Sequence, residues 1–424
     1  MRKSFKRLGM LALAAGLTFS LAACGNSSSS SNSKKQTLTV SVDNSSNTYK
    51  KFVNQIKGKF EKKYNVKVKV RTKAMSDQLD ALKLDGPAGK APDVMMAAYD
   101  NVGVLGKQGQ LAPVKLVSGR YSTKDKKLVT MNGKYYGEPA TIETMIMYYN
   151  KKYVKTAPTN FKQLEAISKD SKYAYANDKT KNVGFLVQWT NFYDAYGLIK
   201  GYGGYVFGGK DNKNINKLGL NNAGAVEGLT YITNWFKNVW PKGMQSTTSN
   251  ENFITSQFTG GKTAVVLDGP WMAATYNQTK SLDYAAAKIP TLDNGKEYQP
   301  FGGGKAWVIS KYSKHQSLSQ KWLNYVTNNQ NQEKFNKMTL EVPANETARK
   351  SAAKASGIRG EVAEAVLQQF KSAEPMPNMP AMTEVWTGAQ NLIVNAASGK
   401  KTPKQSADAA VKEIAQTIKQ KYSD

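Results

Sequence analysis

The sequence TLTVSVD at residues 37–43 opens the part of the chain that decides the fold. Its β-branched residues and period-two pattern predict a strand. The following stretch, residues 49–63, places Phe52, Ile56 and Phe60 at intervals that put them on one face of a helix. The chain therefore enters its folded part as a strand followed by an amphipathic helix.

The same alternation continues toward residue 97. VKVKV at 66–70 predicts a second strand, residues 76–84 a second helix, and PDVMMA at 92–97 a third strand. The third strand is short and continuously apolar, as strands of parallel sheets are when both of their faces are buried. Strands alternating with helices predict an α/β fold with a mainly parallel sheet.

The rest of the chain is richer in helix and long enough for a second domain. Helices are predicted over 222–239, 250–258, 316–328, 358–371 and 403–421, the last with Thr402 as its N-cap and Pro403 at its first position. Roughly 390 residues follow the N-terminal segment, too many for a single hydrophobic core. We therefore expect two domains.

The N-terminal segment predicts export. Residues 1–23 carry four basic side chains and then an apolar run shorter than the ~20 residues of a membrane-spanning helix, as in a secretory signal peptide. The run ends in LAACG at 21–25, which resembles a bacterial lipobox and implies cleavage before Cys24 and lipid attachment to that cysteine. A secreted protein with a stray cysteine is the alternative. Because Cys24 is the only cysteine, an intramolecular disulfide is excluded.

A Ser-rich stretch follows the cysteine. Residues 24–36 are too polar to fold, and a flexible chain of that length reaches ~20 Å. A lipid, a tether and a globular body together predict a protein anchored at the extracellular face of the bacterial cell membrane.

The net charge of +29 suggests a nucleic-acid partner at first sight. Four of the positive charges lie in the signal peptide, and the other lysines are scattered over solvated faces, such as residues 57–63. Export also separates the protein from nucleic acid. A basic body beside an anionic cell envelope is the better interpretation, so no nucleic-acid partner is expected.

Residue types needed for catalysis are scarce. His315 is the only histidine, too little for a zinc site, and no Gly-x-Ser-x-Gly elbow accompanies it. GGKT at 260–263 looks like the end of a phosphate-binding loop, but Ser256 stands where glycine is required and a strand pattern follows. No catalytic residue, metal or cofactor is predicted, although spacing alone leaves a paired-carboxylate hydrolase open.

Aromatic residues give the positive signal. Trp235 and Trp322 fit amphipathic helices and are expected in the core. Other aromatic residues lie beside polar residues, near predicted strand ends or turns: Trp189, Tyr193, Trp271 and Trp386. Open α/β sheets bind ligands at the carboxyl ends of their strands. Because aromatic rings stack on apolar sugar faces while carboxylates and amides bond the hydroxyls, this pattern indicates a carbohydrate site.

Short segments spread over the whole body resemble one family. They are KFEK at 59–62, GKAPDV at 89–94, NGK at 132–134, YNK at 149–151, GGYVF at 203–207, NNAGA at 221–225, GLT at 228–230, DGPW at 268–271, MPNMP at 376–380 and NAASG at 395–399. In order and spacing they resemble the maltose/maltodextrin-binding proteins, within the larger family of extracellular solute-binding proteins that serve ABC importers. The resemblance extends from residue 36 to residue 420.

This resemblance implies a two-lobed, periplasmic-binding-protein-like α/β fold with a central ligand cleft and a hinge. The implied lobes are 37–142 with 302–350, and 146–298 with 355–424. Crossings near 142–146 and at Phe301-Gly-Gly-Gly304 would be the hinges, since successive glycines absorb backbone rotation at little steric cost.

The resemblance also implies substrate-binding residues. Asp100 and Glu143 match acids that bond sugar hydroxyls. The stacking aromatics of the second lobe match Tyr193, Trp271 and Trp386. A nearby apolar contact matches Met376.

Some positions depart from the pattern of the best-known member. Ala97 replaces an aromatic residue and Thr387 a tyrosine. Asn101 and Gln390 replace arginines, and Asn191 replaces an acid. Because amides still bond hydroxyls, these three remain predicted contacts, and they bear on which sugar is bound. Residues that could add contacts are Tyr99, Trp189, Asp194, Asp43 and Ser45.

The implied function is oligosaccharide capture without chemical change. The expected partners are a maltose- or maltodextrin-type oligosaccharide, the permease subunits of an ABC importer, and the membrane through the lipid anchor. The protein is expected to be a monomer. An oligosaccharide of the raffinose or fructo-oligosaccharide type is the alternative ligand. A secreted glycoside hydrolase and a surface adhesion or structural protein are alternatives of other classes.

Overall fold

A computed structural model describes residues 35–209 and 212–422 of the chain. The signal peptide, Cys24 and nearly all of the tether lie outside the described residues, so the predictions made for them rest on the sequence.

The α-helices range in length from 6 to 20 residues. They are α1 (Asn47–Tyr64), α2 (Met75–Asp85), α3 (Tyr99–Lys107), α4 (Thr123–Leu128), α5 (Phe161–Ile167), α6 (Phe192–Gly201), α7 (Ala223–Asn234), α8 (Asn250–Thr259), α9 (Ala273–Gln278), α10 (Gln316–Val326), α11 (Asn329–Thr339), α12 (Glu346–Ala353), α13 (Ile358–Gln369), α14 (Thr383–Ala397) and α15 (Pro403–Tyr422). Single turns of 3₁₀ or π helix cover Ser171–Tyr173, Trp235–Val239, Lys242–Gln245, Pro270–Met272 and Pro380–Met382.

The strands are mostly short. They are β1 (Thr37–Asp43), β2 (Lys67–Lys73), β3 (Val94–Ala98), β4 (Thr130–Met131), β5 (Lys134–Tyr135), β6 (Glu138–Pro139), β7 (Thr141–Ile142), β8 (Ile146–Asn150), β9 (Ala174–Tyr175), β10 (Asp178–Asn182), β11 (Phe185–Val187), β12 (Tyr205–Gly208), β13 (Asn214–Gly219), β14 (Val265–Asp268), β15 (Tyr284–Ala287), β16 (Phe301–Gly302), β17 (Lys305–Ile309), β18 (Val342–Pro343) and β19 (Glu374–Pro375).

The strands build two larger sheets, and both are mixed. The first sheet has the order β2-β1-β3-β17-β6, and the second has the order β11-β14-β8-β15. Strands β2, β1 and β3 are parallel and are joined through α1 and α2, as parallel neighbours require. Strand β17 arrives from a distant part of the chain, so no helical crossover dictates its direction, and it runs antiparallel to β3. The predicted α/β class is confirmed. The expectation of a mainly parallel sheet holds for β2-β1-β3 and for the pair β11-β14, whereas the other neighbours in the two larger sheets are antiparallel.

The first sheet is buried on both faces. Val94 and Met96 of β3 belong to one hydrophobic core, whereas Met95 and Ala97 belong to the core on the opposite face. Successive side chains of a strand point to opposite faces. The continuously apolar sequence of β3 therefore reflects two cores. A separate, larger core surrounds the second sheet and the helices packed on it.

Local sequence signals place the helices correctly. In α1 the Ser46 Oγ accepts a hydrogen bond from the Thr48 backbone at 3.1 Å, and Asn65 ends the helix in the left-handed conformation. In α15 the predicted cap is present, since Thr402 Oγ1 accepts from the Gln405 backbone at 3.2 Å. The helix predicted over 222–239 instead ends at Asn234 and continues as a π turn. Within the described parts of the chain, no helix is long and apolar enough to cross a membrane.

Candidate functional site

Three chain segments run side by side between the two sheets. Strand β7 pairs with β18, and Glu143 and Gly303 exchange two backbone hydrogen bonds of 3.0 and 2.9 Å. At Gly304 φ is +155°, and a Cβ atom there would lie 2.0 Å from the carbonyl oxygen of Thr141. The close approach of two backbones therefore requires the last glycine of the Phe301–Gly304 run. The role of this run as a hinge stays a prediction.

Aromatic side chains from three elements converge beside these segments. Trp271 follows β14, Tyr193 lies in the first turn of α6, and Trp386 lies in the first turn of α14. The Tyr193 and Trp271 rings are 5.9 Å apart, and Phe301 lies 6.0 Å from both Tyr193 and Trp386. Tyr193, Trp271 and Trp386 are all partly exposed. The structure thus brings together three predicted stacking residues, and the fully buried Phe301 packs against Tyr193 and Trp386.

Trp189 does not belong to this aromatic group. Its side chain is fully buried, and its indole nitrogen donates to the Tyr298 hydroxyl at 3.4 Å. The ring packs 5.2 Å from Trp240 and 6.0 Å from Phe185, inside the core of the second sheet. The prediction that Trp189 contacts the substrate is therefore wrong, because its indole points into the core and has no exposed surface for a ligand.

A polar pocket of about 230 Å³ lies against Tyr193 and Trp271. Its polar lining consists of Gln188, Asn191, Asp194, Glu251 and Asp268. Asn191 is exposed and caps α6, since its Oδ1 accepts from the Tyr193 backbone at 3.0 Å. Gln188, Glu251 and Asp268 were not among the residues predicted from the sequence. The signal for Asp268 was available, because it ends a buried strand directly before a tryptophan-containing turn.

Two carboxyl groups of this pocket are held in different ways. Asp268 accepts from the Gly269 backbone and from the Tyr276 hydroxyl, each at 2.7 Å, and burial raises its pKa to about 7. Asp194 is 7% exposed, and no donor among the described residues bonds its carboxyl group. Burial, and then the neighbouring Asp268, raise the pKa of Asp194 well above its usual range. A buried acceptor without a protein partner is a place for a ligand hydroxyl.

The two predicted acids, Asp100 and Glu143, follow strands β3 and β7. Asp100 lies at the start of α3, directly after β3, and accepts from the Asn101 side chain at 3.1 Å. Burial raises its pKa to about 6, against the effect of nearby backbone donors. Glu143 is buried and accepts from Lys305 Nζ at 2.5 Å. Burial raises the pKa of Glu143 although the cation opposes that shift.

The two groups of residues lie close together. Burial raises the pKa of the Tyr193 hydroxyl well above its usual range, and the charges of Glu143, Asp194 and Asp100 raise it further. The same hydroxyl is buried and has no hydrogen-bond partner in the described part of the chain. Lys305 Nζ lies 5.7 Å from the centre of the Trp271 ring. Acids of the first half therefore face the aromatic residues of the second half.

The remaining predicted contacts lie around this cleft. Met376 is buried beside the glycine run, and its backbone donates to Gly302 at 3.2 Å. Gln390 is exposed and follows Trp386 by four residues on α14, which places both on one helix face.

Some suggested contacts are used within the protein instead. The Tyr99 hydroxyl is buried and donates to the Thr141 carbonyl at 2.7 Å, so the suggestion that it replaces a missing contact is wrong. Asp43 accepts from the Met75 backbone at 3.1 Å and from Ser45 Oγ. Ala97 is fully buried within β3 of the first sheet. No group of three His, Cys, Asp or Glu within the described residues could hold a metal ion.

Two α/β halves, joined by three adjacent segments around a cleft lined with aromatic rings and acids, define a two-lobed ligand-binding protein. The sequence matches the bacterial extracellular solute-binding protein family over residues 55–358, and the chain belongs to this family.

Similar proteins cover the whole chain. The maltodextrin-binding protein MdxE of Bacillus subtilis (strain 168) is 50% identical over 424 residues, which are 100% of this chain and 99% of that protein. A maltooligosaccharide ABC transporter solute-binding lipoprotein of Streptococcus pneumoniae (strain ATCC BAA-255 / R6) is 45% identical over 431 residues, with 100% and 99% coverage. The crystal structure of maltose-binding MalE from Listeria monocytogenes in complex with maltose is 56% identical, with a TM-score of 0.78, and covers 92% of this chain and 100% of that one. The predicted family and the two-lobed α/β fold are thereby confirmed.

Proposed function

We propose that this protein captures maltodextrin-type oligosaccharides outside the cell and delivers them to the permease subunits of an ABC importer. One observation carries the proposal: Tyr193 and Trp271 border a pocket lined by the carboxyl group of Asp194, which no donor among the described residues bonds. Rings stack on the apolar faces of sugars, and carboxyl groups accept from their hydroxyls. The names of the similar proteins point to the same class of ligand.

The proposed binding residues come from both sides of the cleft. They are Asp100, Asn101, Glu143, Asn191, Tyr193, Trp271, Met376, Trp386 and Gln390, together with Asp194 and Asp268 from the polar pocket. Trp189 is left out because it is buried. The amides at Asn101, Asn191 and Gln390 bear on which oligosaccharide is preferred, because an amide both donates and accepts. The arginines replaced at 101 and 390 only donate, and the ionised acid replaced at 191 only accepts.

Closure of the cleft is the proposed mechanism of capture. We assign residues 37–142 and 302–350 to the first lobe, and 146–298 and 355–424 to the second. The first sheet has hydrophobic cores separate from that of the second sheet, which supports movement of the lobes as bodies, while Ile142, Leu340 and Val342 at the junction pack into the second core. Sugar that contacts both lobes favours the closed state, and it shifts the population by no more than its difference in affinity for the two states.

The proposed location is the extracellular face of the cell membrane, with a lipid on Cys24 and residues 24–36 as the tether. The protein is proposed to act as a monomer and to release its ligand unchanged. Mass spectrometry of protein extracted from membranes, with a Cys24→Ser variant as control, tests the anchor. Release of the wild-type chain into the medium with an unmodified N-terminus would contradict it.

Isothermal titration of the lipid-free protein tests the ligand. The panel is maltose, maltotriose, longer maltodextrins, raffinose and fructo-oligosaccharides, each with thermal unfolding measured in parallel, because a bound ligand raises the unfolding temperature. We expect binding of maltodextrins. Tighter binding of raffinose or a fructo-oligosaccharide would contradict the proposed ligand but not the proposed transport role. No binding of any sugar at millimolar concentrations would refute sugar capture. Incubation with maltotetraose tests for hydrolysis, and cleavage would refute the binding-only role.

A further inference from the structure

A buried charge cluster, formed by Lys305, Glu143, Glu341 and Tyr49, lies where the two halves of the protein meet. Lys305 Nζ donates to Glu143 Oε2 at 2.5 Å and to Glu341 Oε2 at 2.9 Å. The Tyr49 hydroxyl donates to the other oxygen of Glu341 at 2.5 Å. The side chains of Lys305 and Glu143 are only 6% and 11% exposed. The charges of this cluster are buried and hydrogen-bonded to one another, unlike the surface ion pairs of the chain.

Each charged member of the cluster comes from a different one of the three adjacent chain segments. Glu143 follows β7, Lys305 begins β17 directly after the glycine run, and Glu341 precedes β18. The backbone of Lys305 is fixed as well, because its nitrogen donates to Thr141 Oγ1 at 3.0 Å and its carbonyl accepts from Ala140 at 2.8 Å. The ammonium group therefore has little freedom to move away from the two carboxylates.

The two oxygens of Glu143 have different surroundings. Oε2 is bonded to Lys305, whereas no donor among the described residues bonds Oε1. Burial alone favours the protonated form of this carboxyl group, and the adjacent cation opposes that effect. On Lys305, burial disfavours the charge, but Glu143 and Glu341 outweigh it and raise the pKa of the ammonium group.

We propose that Lys305 is a positioning residue for sugar capture: it holds the Glu143 carboxylate in place so that Oε1 accepts a hydrogen bond from a sugar hydroxyl in the cleft. The position of Lys305 Nζ 5.7 Å from the centre of the Trp271 ring adds a cation–π contact to a stacking residue of the second lobe. At 5.7 Å from the ring centre this contact lies near the outer limit of cation–π attraction, so the main route from Lys305 to the ligand is Glu143. This inference rests on the proposed function.

A double-mutant cycle between Lys305→Met and Glu143→Gln tests the inference, with the dissociation constant for maltotriose as the measurement. A charge-assisted hydrogen bond accounts for about tenfold in binding, so each single variant should raise the dissociation constant by about that factor or more. Because Lys305 acts through Glu143, the double variant should bind within about threefold of the weaker single variant. A double variant whose increase in dissociation constant equals the product of the two single increases would overturn the inference.

Lys200→Met is the matched control. Lys200 also pairs with a carboxylate, Glu374, at 2.7 Å, and its side chain is 22% exposed on the second half, outside the cleft residues. We expect this variant to bind maltotriose within about twofold of wild type. An equal loss in Lys200→Met and Lys305→Met would mean that loss of any such ion pair weakens binding, and it would overturn the specific role of Lys305.

Infrared spectroscopy gives a readout that a merely structural role would not change. Lys305→Met should show the carbonyl stretch of an additional protonated carboxyl group, and Glu143→Gln in the same background should remove it. Persistence of the band would overturn the assignment to Glu143.

If Lys305→Met does not fold, Glu341→Met added to it removes the second buried carboxylate, and the cycle is repeated in that background. Wild-type protein that binds no maltodextrin would refute the proposed function itself. Wild-type binding with an additive cycle would refute only the role of Lys305.

Discussion

Replacement of Gly269 by alanine should displace a sugar-stacking ring without removing it. The Trp271 indole lies flat against Gly269, and an alanine Cβ there would be 2.1 Å from ring atoms Cη2 and Cζ3 and 2.3 Å from Cε3. Ordinary van der Waals contact begins at 3.4 Å, so the ring must move by at least about 1.3 Å. The backbone itself tolerates alanine, because φ is −98° and ψ is 170°. The effect of Gly269→Ala therefore comes from the displaced indole.

The expected loss of affinity follows from the lost stacking contact. A ring pair contributes ~0.5–1.5 kcal/mol beyond the area that it buries, and covering ~50 Å² of apolar sugar surface contributes about 1 kcal/mol more. Gly269→Ala should therefore raise the dissociation constant for maltotriose by about ten- to a hundredfold. Trp271→Ala should give a similar increase.

Isothermal titration of the two single variants and the Gly269→Ala/Trp271→Ala double variant measures this effect. Once the indole is absent, alanine at position 269 has nothing to displace, so the double variant should bind like Trp271→Ala alone. Wild-type affinity in Gly269→Ala would refute the collision. A double variant much weaker than Trp271→Ala would show that Gly269 acts by another route.

Three further perturbations separate cleft chemistry from core packing. Gly103→Ala places a Cβ atom 2.9 Å from the Asn378 carbonyl, where α3 meets the 376–380 segment of the other lobe. If this contact forms on closure, the variant should destabilise the closed state. We therefore expect faster sugar dissociation in stopped-flow fluorescence and no loss of stability in the sugar-free protein. An unchanged dissociation rate would contradict a closure contact there. Burial raises the pKa of Asp268 from 3.8 to about 7. Between these two pH values the folded protein keeps a proton on Asp268 that the unfolded chain has lost. This group should therefore lower the free energy of unfolding by up to ~4 kcal/mol as pH rises from about 4 to 7. Urea unfolding of wild type and Asp268→Asn across this interval measures the difference, and parallel pH profiles would contradict it. Trp189→Ala should lower the free energy of unfolding by ~3–5 kcal/mol, because the side chain is fully buried. Trp271→Ala should lower it by less than ~1 kcal/mol. Similar denaturation midpoints for the two variants would place Trp189 outside the core.

Much of the fold followed from local patterns. Strand β1 has the predicted bounds, and α1 extends the predicted 49–63 by two residues at its start and one at its end. Such segments are predictable because side-chain periodicity and capping act within a few residues. The mixed direction of both sheets was not predictable in the same way, since β17 joins β3 across some two hundred residues of intervening chain.

The residues of the site were likewise predictable only in part from the local sequence. Tyr193, Trp271 and Trp386 could be selected because each lies near the start of a helix or turn, beside polar residues. Trp189 satisfied the same local criterion and lies in the core. Neighbouring residue types could not separate them, because the direction of a side chain near a strand end depends on what packs against it.

By itself, the sequence determined the strand–helix alternation, the scarcity of catalytic residue types and the aromatic and acidic character of the site. All of these depend on residue identity and short-range order. Only the tertiary structure decided which aromatic rings face the cleft, that Asp194 lacks a partner among the described residues, and that Lys305 bonds Glu143 and Glu341. The physical reason is that burial, hydrogen bonding and charge pairing are properties of neighbours in space. The side chain that bonds the Glu143 carboxylate, Lys305, is 162 residues away along the chain.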